Sequence, residues 1–200
     1  FPTRRSSDLI LSKKSSGTAG ADMLKKMDAI ASTILRQIIF TRDYQNVGAE
    51  QPRWISLAQT LDTLLYTIDR GGVQIDIRTG DLEIYADPLI EKVFYNLIDN
   101  SLRHGERVTM IRITTREEEH DLLIVYEDDG VGIPAEDKEM IFSRGYGKNT
   151  GYGLFLIREI LAITGFTIEE NGIPGAGARF IIRIPRQSCR FPSRTGADQA

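Results

Sequence analysis

The sequence predicts an α/β fold in which one long helix precedes a domain of mixed short strands and helices. Three observations carry this. Apolar residues recur at steps of three and four from Leu24 to Ile38, the period of an amphipathic helix. Val73, Ile75 and Ile77 alternate with polar residues, and LLIVY at 122–126 is an unbroken apolar run, the two signatures of strands. A second helical pattern fills 88–104 between them. With 200 residues, 41% hydrophobic and 26% charged, the chain is long enough for one well-buried core and an attached helical element.

The elements follow in order. Residues 1–9, FPTRRSSDL, resemble the translation of a common sequencing-adapter oligonucleotide and are set aside from the fold expectation, the alternative being a disordered basic arm. If the adapter reading holds, the gene product extends upstream of Ile10. Ser15, Ser16, Gly17, Gly20 and Asp22 suggest a loop and N-cap, so 1–20 is expected as an unstructured start. The stripe Leu24, Met27, Ile30, Ile34, Ile38 then makes a helix within 21–50, ended by Gly48 and Pro52. Two readings of it are open: a helix packed on the same domain, or one arm of a dimerising hairpin.

The domain proper is expected over 54–185. Leu57 to Tyr66 reads as a short helix, and Val73 to Ile77 as a half-buried strand. Thr79-Gly80-Asp81 looks like a hairpin turn, with Leu82 and Ile84 continuing the alternation. Asp87 and Pro88 supply an N-cap and first helical residue for 88–104, whose apolar face is Ile90, Val93 or Phe94, Leu97 and Ser101, with Gly105 as its stop. Strands follow near 107–115 and 121–127, the second central, then a helix at 152–164 and strands near 166–171 and 178–184. The tail 186–200 reads as disordered.

Composition excludes several functions. A net charge of -3 argues against binding nucleic acid through its phosphates. Cys189 is the only cysteine, so a disulfide framework or cysteine zinc site cannot form within one chain, and a reducing, cytoplasmic setting fits. No apolar run approaches membrane-spanning length, so no membrane contact is expected of this segment.

Three constellations carry chemistry. Asn96 and Asn100 stand four apart, opposite the apolar stripe, and Arg103 and His104 extend that polar row. An Asn carbonyl is a hard neutral oxygen suited to Mg²⁺, which makes Asn100 the metal candidate; the plain alternative is a solvated helix face. His104 is as compatible with binding helix-end carbonyls as with a ligand, and His120 sits in a polar turn. In EDDGVGIP, a strand delivers Asp128 just before Gly130 and Gly132, so a carboxylate can sit at a pocket floor and accept from an amino group such as adenine's, with Ile133 against the base. The same segment also suits an ordinary strand-to-loop turn. In GYGKNTGYGLFL, Gly145, Gly147, Gly151 and Gly153 open into a helix whose free amides attract phosphate, and Lys148 adds charge. It is neither a Walker A loop nor GxGxxG, since Lys148 is followed by Asn149 and Thr150 stands where the third glycine belongs.

Taken in order, YNLIDN resembles the N box, DDGVGIP the G1 box, IFSRGYG the F box and GYGLFL the G2 box of the Bergerat-type ATP-binding domain of sensor histidine kinases. The resemblance covers about 54–185 and implies a two-layer α/β sandwich, a mixed sheet under about three helices. It implies ATP and Mg²⁺ as ligands, with Asn100 on the metal and Asn96 supporting it. Arg103 and His104 would reach phosphates, Asp128 would hold the adenine amino group, and Phe142 would anchor a lid over 145–151, including Lys148 and Thr150, before Gly153 and Leu154 begin the next helix. Tyr152 departs from the small residue usual there. The helix at 22–45 resembles the second helix of the dimerisation and phosphotransfer hairpin; the first, with its acceptor histidine, is not in this sequence, so the fragment is expected to bind ATP without phosphorylating itself. A homodimer and a response-regulator receiver domain would be the partners. An anti-sigma-factor serine kinase and a non-catalytic ATP-dependent interaction module are the rival functions.

Overall fold

The amphipathic period near the start of the chain does produce a helix, and a longer one than expected. In the computed structural model, which describes residues 5–146 and 151–192, helix α1 runs Arg5–Gln45 without a break. The expected loop and cap at Ser15–Asp22 therefore lie inside it. Ser, Thr and Gly weaken a helix only by tenths to about 1 kcal/mol each, too little to end one on their own. The chain divides into two compact units between Thr41 and Arg42. In the first, Leu24, Met27, Ile30, Ile34 and Ile38 are all exposed, so the apolar stripe is present and unburied.

The second unit holds two sheets. Strands β1 (Arg53–Ser56), β3 (Glu83–Ala86) and β8 (Cys189–Arg190) form a small antiparallel sheet in the order β1-β3-β8. Strands β2 (Gln74–Arg78), β4 (Met110–Glu117), β5 (Asp121–Asp128), β6 (Thr167–Glu170) and β7 (Arg179–Pro185) form the larger one in the order β2-β4-β5-β7-β6. The β2–β4 pair is parallel and the others antiparallel, so this sheet is mixed, as expected. The hairpin expected at Thr79-Gly80-Asp81 is absent. The turn exists, but β2 and β3 leave it for different sheets.

Three helices pack with the large sheet: α2 (Leu57–Thr67), α3 (Ile90–His104) and α4 (Gly153–Ala162). Each buries an apolar stripe, Leu57, Leu61 and Leu64 on α2, Val93, Phe94, Leu97 and Ile98 on α3, and Leu156, Ile157, Ile160 and Leu161 on α4. Ser56 caps α2, its Oγ accepting from the Gln59 N–H at 3.4 Å. Strand β5 is central and buried from Leu122 to Tyr126. Because side chains alternate across a strand, Leu122, Ile124, Tyr126 and Asp128 share one face, in register with Ile184, Ile182 and Phe180 of β7. Leu123 and Val125 project to the other face, where they cluster with Ile181.

Two local expectations need correction. Asp87 and Pro88 do not begin α3, which starts at Ile90. Asp87 is buried and ties two segments instead: Oδ1 accepts from the Leu89 N–H at 2.8 Å and Oδ2 from the Gly48 N–H at 3.0 Å. The stretch 186–192 is not a loose tail. It supplies β8, with Cys189 and Phe191 buried, and Arg190 lies 4.1 Å from the Trp54 ring centroid while pairing with Glu83. A polar composition hid one aromatic and one thiol at alternate positions, enough for a two-residue edge strand. Residues 193–200 lie outside the described residues.

Candidate functional site

The site is assembled on α3, which turns its apolar stripe to the sheet and its polar row away. Asn96 and Asn100 are half-buried on that row. The Asn96 amide donates to the Lys92 carbonyl at 2.8 Å, and its Oδ1 lies beside Gly153, the first residue of α4. The Asn100 side chain has no hydrogen bond within the protein among the described residues, leaving its carbonyl available. Arg103, one turn on, donates to Asp99 at 2.6 Å, and that pairing holds its guanidinium proton more firmly than usual. His104 is exposed at the end of the helix.

Asp128 ends the buried face of β5 and points its carboxylate at α3. Its Oδ1 accepts from the Gly130 and Ala178 N–H groups, each at 3.0 Å, and its Oδ2 accepts from Ser101 Oγ at 2.5 Å. Ser101 is thus the buried polar member of the α3 stripe, and its Oγ also meets the Tyr126 hydroxyl at 2.8 Å. A carboxylate has about four acceptor positions. Three are filled among the described residues, and one on Oδ2 is left over. Gly132 follows at φ +70, where a Cβ would come within 2.8 Å of the Gly177 carbonyl oxygen and 2.9 Å of that of Ile173. Its close approach is therefore to the 172–178 loop. Gly130 is buried against Gly105, and Ile133 is half-buried.

The third segment is anchored where it leaves and re-enters the fold. Phe142, in a short 3₁₀ turn at Met140–Phe142, is buried edge-on to Phe180 at 6.3 Å, which in turn meets Tyr126 at 6.2 Å. The Gly145 N–H donates to the Gly151 carbonyl at 3.1 Å, closing the base of the intervening stretch. Gly151 has φ +63, and a Cβ there would fall 2.5 Å from the Gly145 carbonyl carbon, so only glycine fits. Gly147, Lys148 and Thr150 lie outside the described residues. Tyr152 is the N-cap position of α4 and stacks with Arg144 at 6.0 Å; Gly153 and a half-buried Leu154 open the helix with no side-chain cap, so the first-turn amides are not taken by a cap.

All three segments therefore converge on α3: Asp128 through Ser101, and the start of α4 through Asn96. The sequence pattern missed Ser101, Tyr126 and Asp129. The signal for the first two was present, a serine within an apolar helix stripe and a tyrosine two before Asp128 on the same strand face. Asp129 links this loop to β4, accepting from Thr109 Oγ1 at 2.5 Å and from the Thr109 and Met110 N–H groups at 2.7 and 3.0 Å; the Thr109 hydroxyl is the main cause that holds its carboxyl below the usual range. Also unforeseen is Lys138, which bonds the buried Glu170 and the Gly172 carbonyl, both at 2.5 Å. Among the described residues no three acidic, histidine or cysteine side chains gather to hold a metal. An open cleft of about 760 Å³ at Ile68–Val73, β2 and Met110 contains none of these groups. Its Asp76 is already paired with Arg78 and Arg112. Convergence of the motifs, rather than cleft size, marks the site.

A mixed sheet under three helices, with an oriented carboxylate, a free amide and an uncapped helix start around one helix, defines a nucleotide-binding ATPase domain. Residues 86–188 match the family of histidine kinase-, DNA gyrase B- and HSP90-like ATPases, and the chain belongs to that family. Among curated proteins it is 38% identical over 121 residues to the alginate biosynthesis sensor protein KinB of Pseudomonas aeruginosa, covering 56% of this chain and 20% of KinB. The chain spans about a fifth of the length of the curated relatives it matches. Among solved structures, the catalytic domain of histidine kinase ThkA superposes with a TM-score of 0.59 at 26% identity, over 68% of this chain and 97% of that one. Full-length ShkA in complex with AMPPNP gives 0.63 at 18% identity, over 76% and 35%. The two-layer sandwich is thus the fold of histidine kinase catalytic domains. Among the described residues no helix is long and apolar enough to cross a membrane.

Proposed function

We propose that this chain is the catalytic part of a two-component sensor kinase, binding ATP with Mg²⁺ and passing the γ-phosphoryl group to a histidine on a partner helix, for onward transfer to an aspartate of a response-regulator receiver domain. The observation that carries this is the Asp128 carboxylate, held by Ser101, Gly130 and Ala178 with one acceptor position left over. That position suits the adenine amino group, with Ile133 against the ring. Asn100, with its uncommitted carbonyl, would hold Mg²⁺, and Asn96 would support it. Bound Mg²⁺ would supply neutralisation of the triphosphate charge. Arg103, His104 and Lys148 would meet phosphate, and Arg103 would exchange Asp99 for it. Phe142 would anchor the lid, with Gly145, Gly147, Thr150 and Gly151 in it and Gly153 and Leu154 presenting helix amides at its far end.

Phosphoryl transfer depends mainly on position and electrostatics. The bond from the γ-phosphorus to the bridging oxygen of ADP breaks as a bond to an imidazole nitrogen forms. Neither histidine here is placed as that acceptor: His104 closes α3 and His120 lies in the exposed β4–β5 turn. On this reading the acceptor would come from another segment, and α1, with its exposed apolar stripe, is the surface on which a second such chain would pair. The ShkA complex with AMPPNP and the sensor relatives support this reading.

Titration with AMPPNP, with and without Mg²⁺, tests the site. Asp128→Asn should weaken binding at least about tenfold, or 1.4 kcal/mol, and Asn100→Ala should remove the Mg²⁺ dependence. Binding unaltered in both variants sinks the assignment. Labelled ATP and a histidine-bearing helical hairpin supplied in trans then test the transfer, read as acid-labile phosphate on the hairpin.

A further inference from the structure

Ser101 and Tyr126 form a buried polar pair in a face that is otherwise apolar. Ser101 is 4% exposed and Tyr126 is fully buried, between Ile113 of β4 and Phe180 of β7 in the sheet register. Burying two hydroxyls among aliphatic side chains costs free energy unless each has a partner. Both do, and the partners fix the direction of the protons. Each hydroxyl carries one hydrogen, and a carboxylate oxygen only accepts. Ser101 Oγ, 2.5 Å from Asp128 Oδ2, must spend its hydrogen there. Its contact with the Tyr126 hydroxyl at 2.8 Å then has one possible donor, the tyrosine. Burial pushes the Tyr126 phenol well above its ordinary range, so it keeps the proton it donates. The Tyr126 ring is itself held edge-on by Phe180, which Phe142 backs.

We propose that Tyr126 and Ser101 are positioning residues for nucleotide recognition: a one-way donor chain from Tyr126 through Ser101 to Asp128 fixes which lone pair the carboxylate offers to the purine amino group. The proposal rests on the adenine assignment of Asp128 made above. Oδ1 is oriented by two backbone N–H groups, but those leave Oδ2 with two acceptor positions. Ser101 fills one of them. The remaining position then has a single direction, and a base that presents an N–H along it gains a hydrogen bond that a base without an amino group does not.

The experiment compares ATP with purine riboside 5′-triphosphate, which lacks the 6-amino group, by equilibrium binding to the wild type, Ser101→Ala, Tyr126→Phe, the double variant and Asp128→Asn, with Tm recorded for each. Expected is a preference for ATP that falls about three- to tenfold in Ser101→Ala, less in Tyr126→Phe, with affinity for the amino-free analogue unchanged. Removing both hydroxyls leaves no orphaned hydroxyl, and only Asp128 Oδ2 lacks its donor, as it does in Ser101→Ala. The double variant should therefore regain part of the Tm lost in Ser101→Ala while its preference stays low, a split that a merely structural role would not give. A wild-type preference in Ser101→Ala and the double variant, with Asp128→Asn reducing it, overturns the proposal alone. A wild-type preference in Asp128→Asn overturns the adenine assignment and the proposal with it.

Discussion

Two adjacent aspartates show how far single residues could be read. Asp128 was legible, since a carboxylate just ahead of glycines at a strand end suggests an oriented acceptor. Asp129 was not: its partners, Thr109 and the Met110 amide, are some twenty positions away, and nothing local distinguishes it from a solvated loop acid. Its folded-state pKa is depressed, first by the Thr109 hydroxyl. The stability it contributes is therefore present above the unfolded value near 3.8 and is lost as pH falls through the lower folded value. Thr109→Val should cost about 1 kcal/mol, discounted for the exposure of the pair. In urea titrations the gap from wild type should stay constant above about pH 5 and narrow as Asp129 protonates below its ordinary range. A gap that widens in acid would contradict the assignment.

Among the elements, existence and type were legible because period and length agree. The apolar face of α3, the central placing of β5 and the stop near Gly105 all follow from local pattern. Pairing was not legible. Thr79-Gly80-Asp81 carries the chemistry of a turn whether its flanking strands pair or diverge, and β2 instead lies parallel to β4, more than thirty positions on. The loop after β6 is held in a similarly non-local way. Glu170 takes the Gly172 and Arg179 N–H groups on Oε1 and Lys138 on Oε2, and its side chain is fully buried. Removing one partner of a buried pair leaves the other charge uncompensated. Lys138→Met should cost about 3 kcal/mol or more in denaturant unfolding. A loss under about 1 kcal/mol would show that Glu170 is satisfied without it. Because this loop carries the Ala178 N–H that meets Asp128, the same substitution should also weaken nucleotide binding.

At the largest scale, the sandwich of the second unit was legible from the order of its motifs, and its closure was not. Composition after Pro185 reads as a tail, yet Phe191 is buried and Arg190 joins Glu83 and Trp54. Ending the chain after Arg186 should cost about 3 kcal/mol, chiefly from the lost aromatic, and lower Tm accordingly. An unchanged Tm would return those residues to the status of a tail. The same strand has a mechanical consequence. β1 and β8 flank β3 and both run antiparallel to it, so they run parallel to each other. Tension applied between the residue-53 end of β1 and the residue-190 end of β8 loads the small sheet in shear, drawing on every ladder bond at once instead of opening them one by one. With two paired residues against four, β8 would yield before β1.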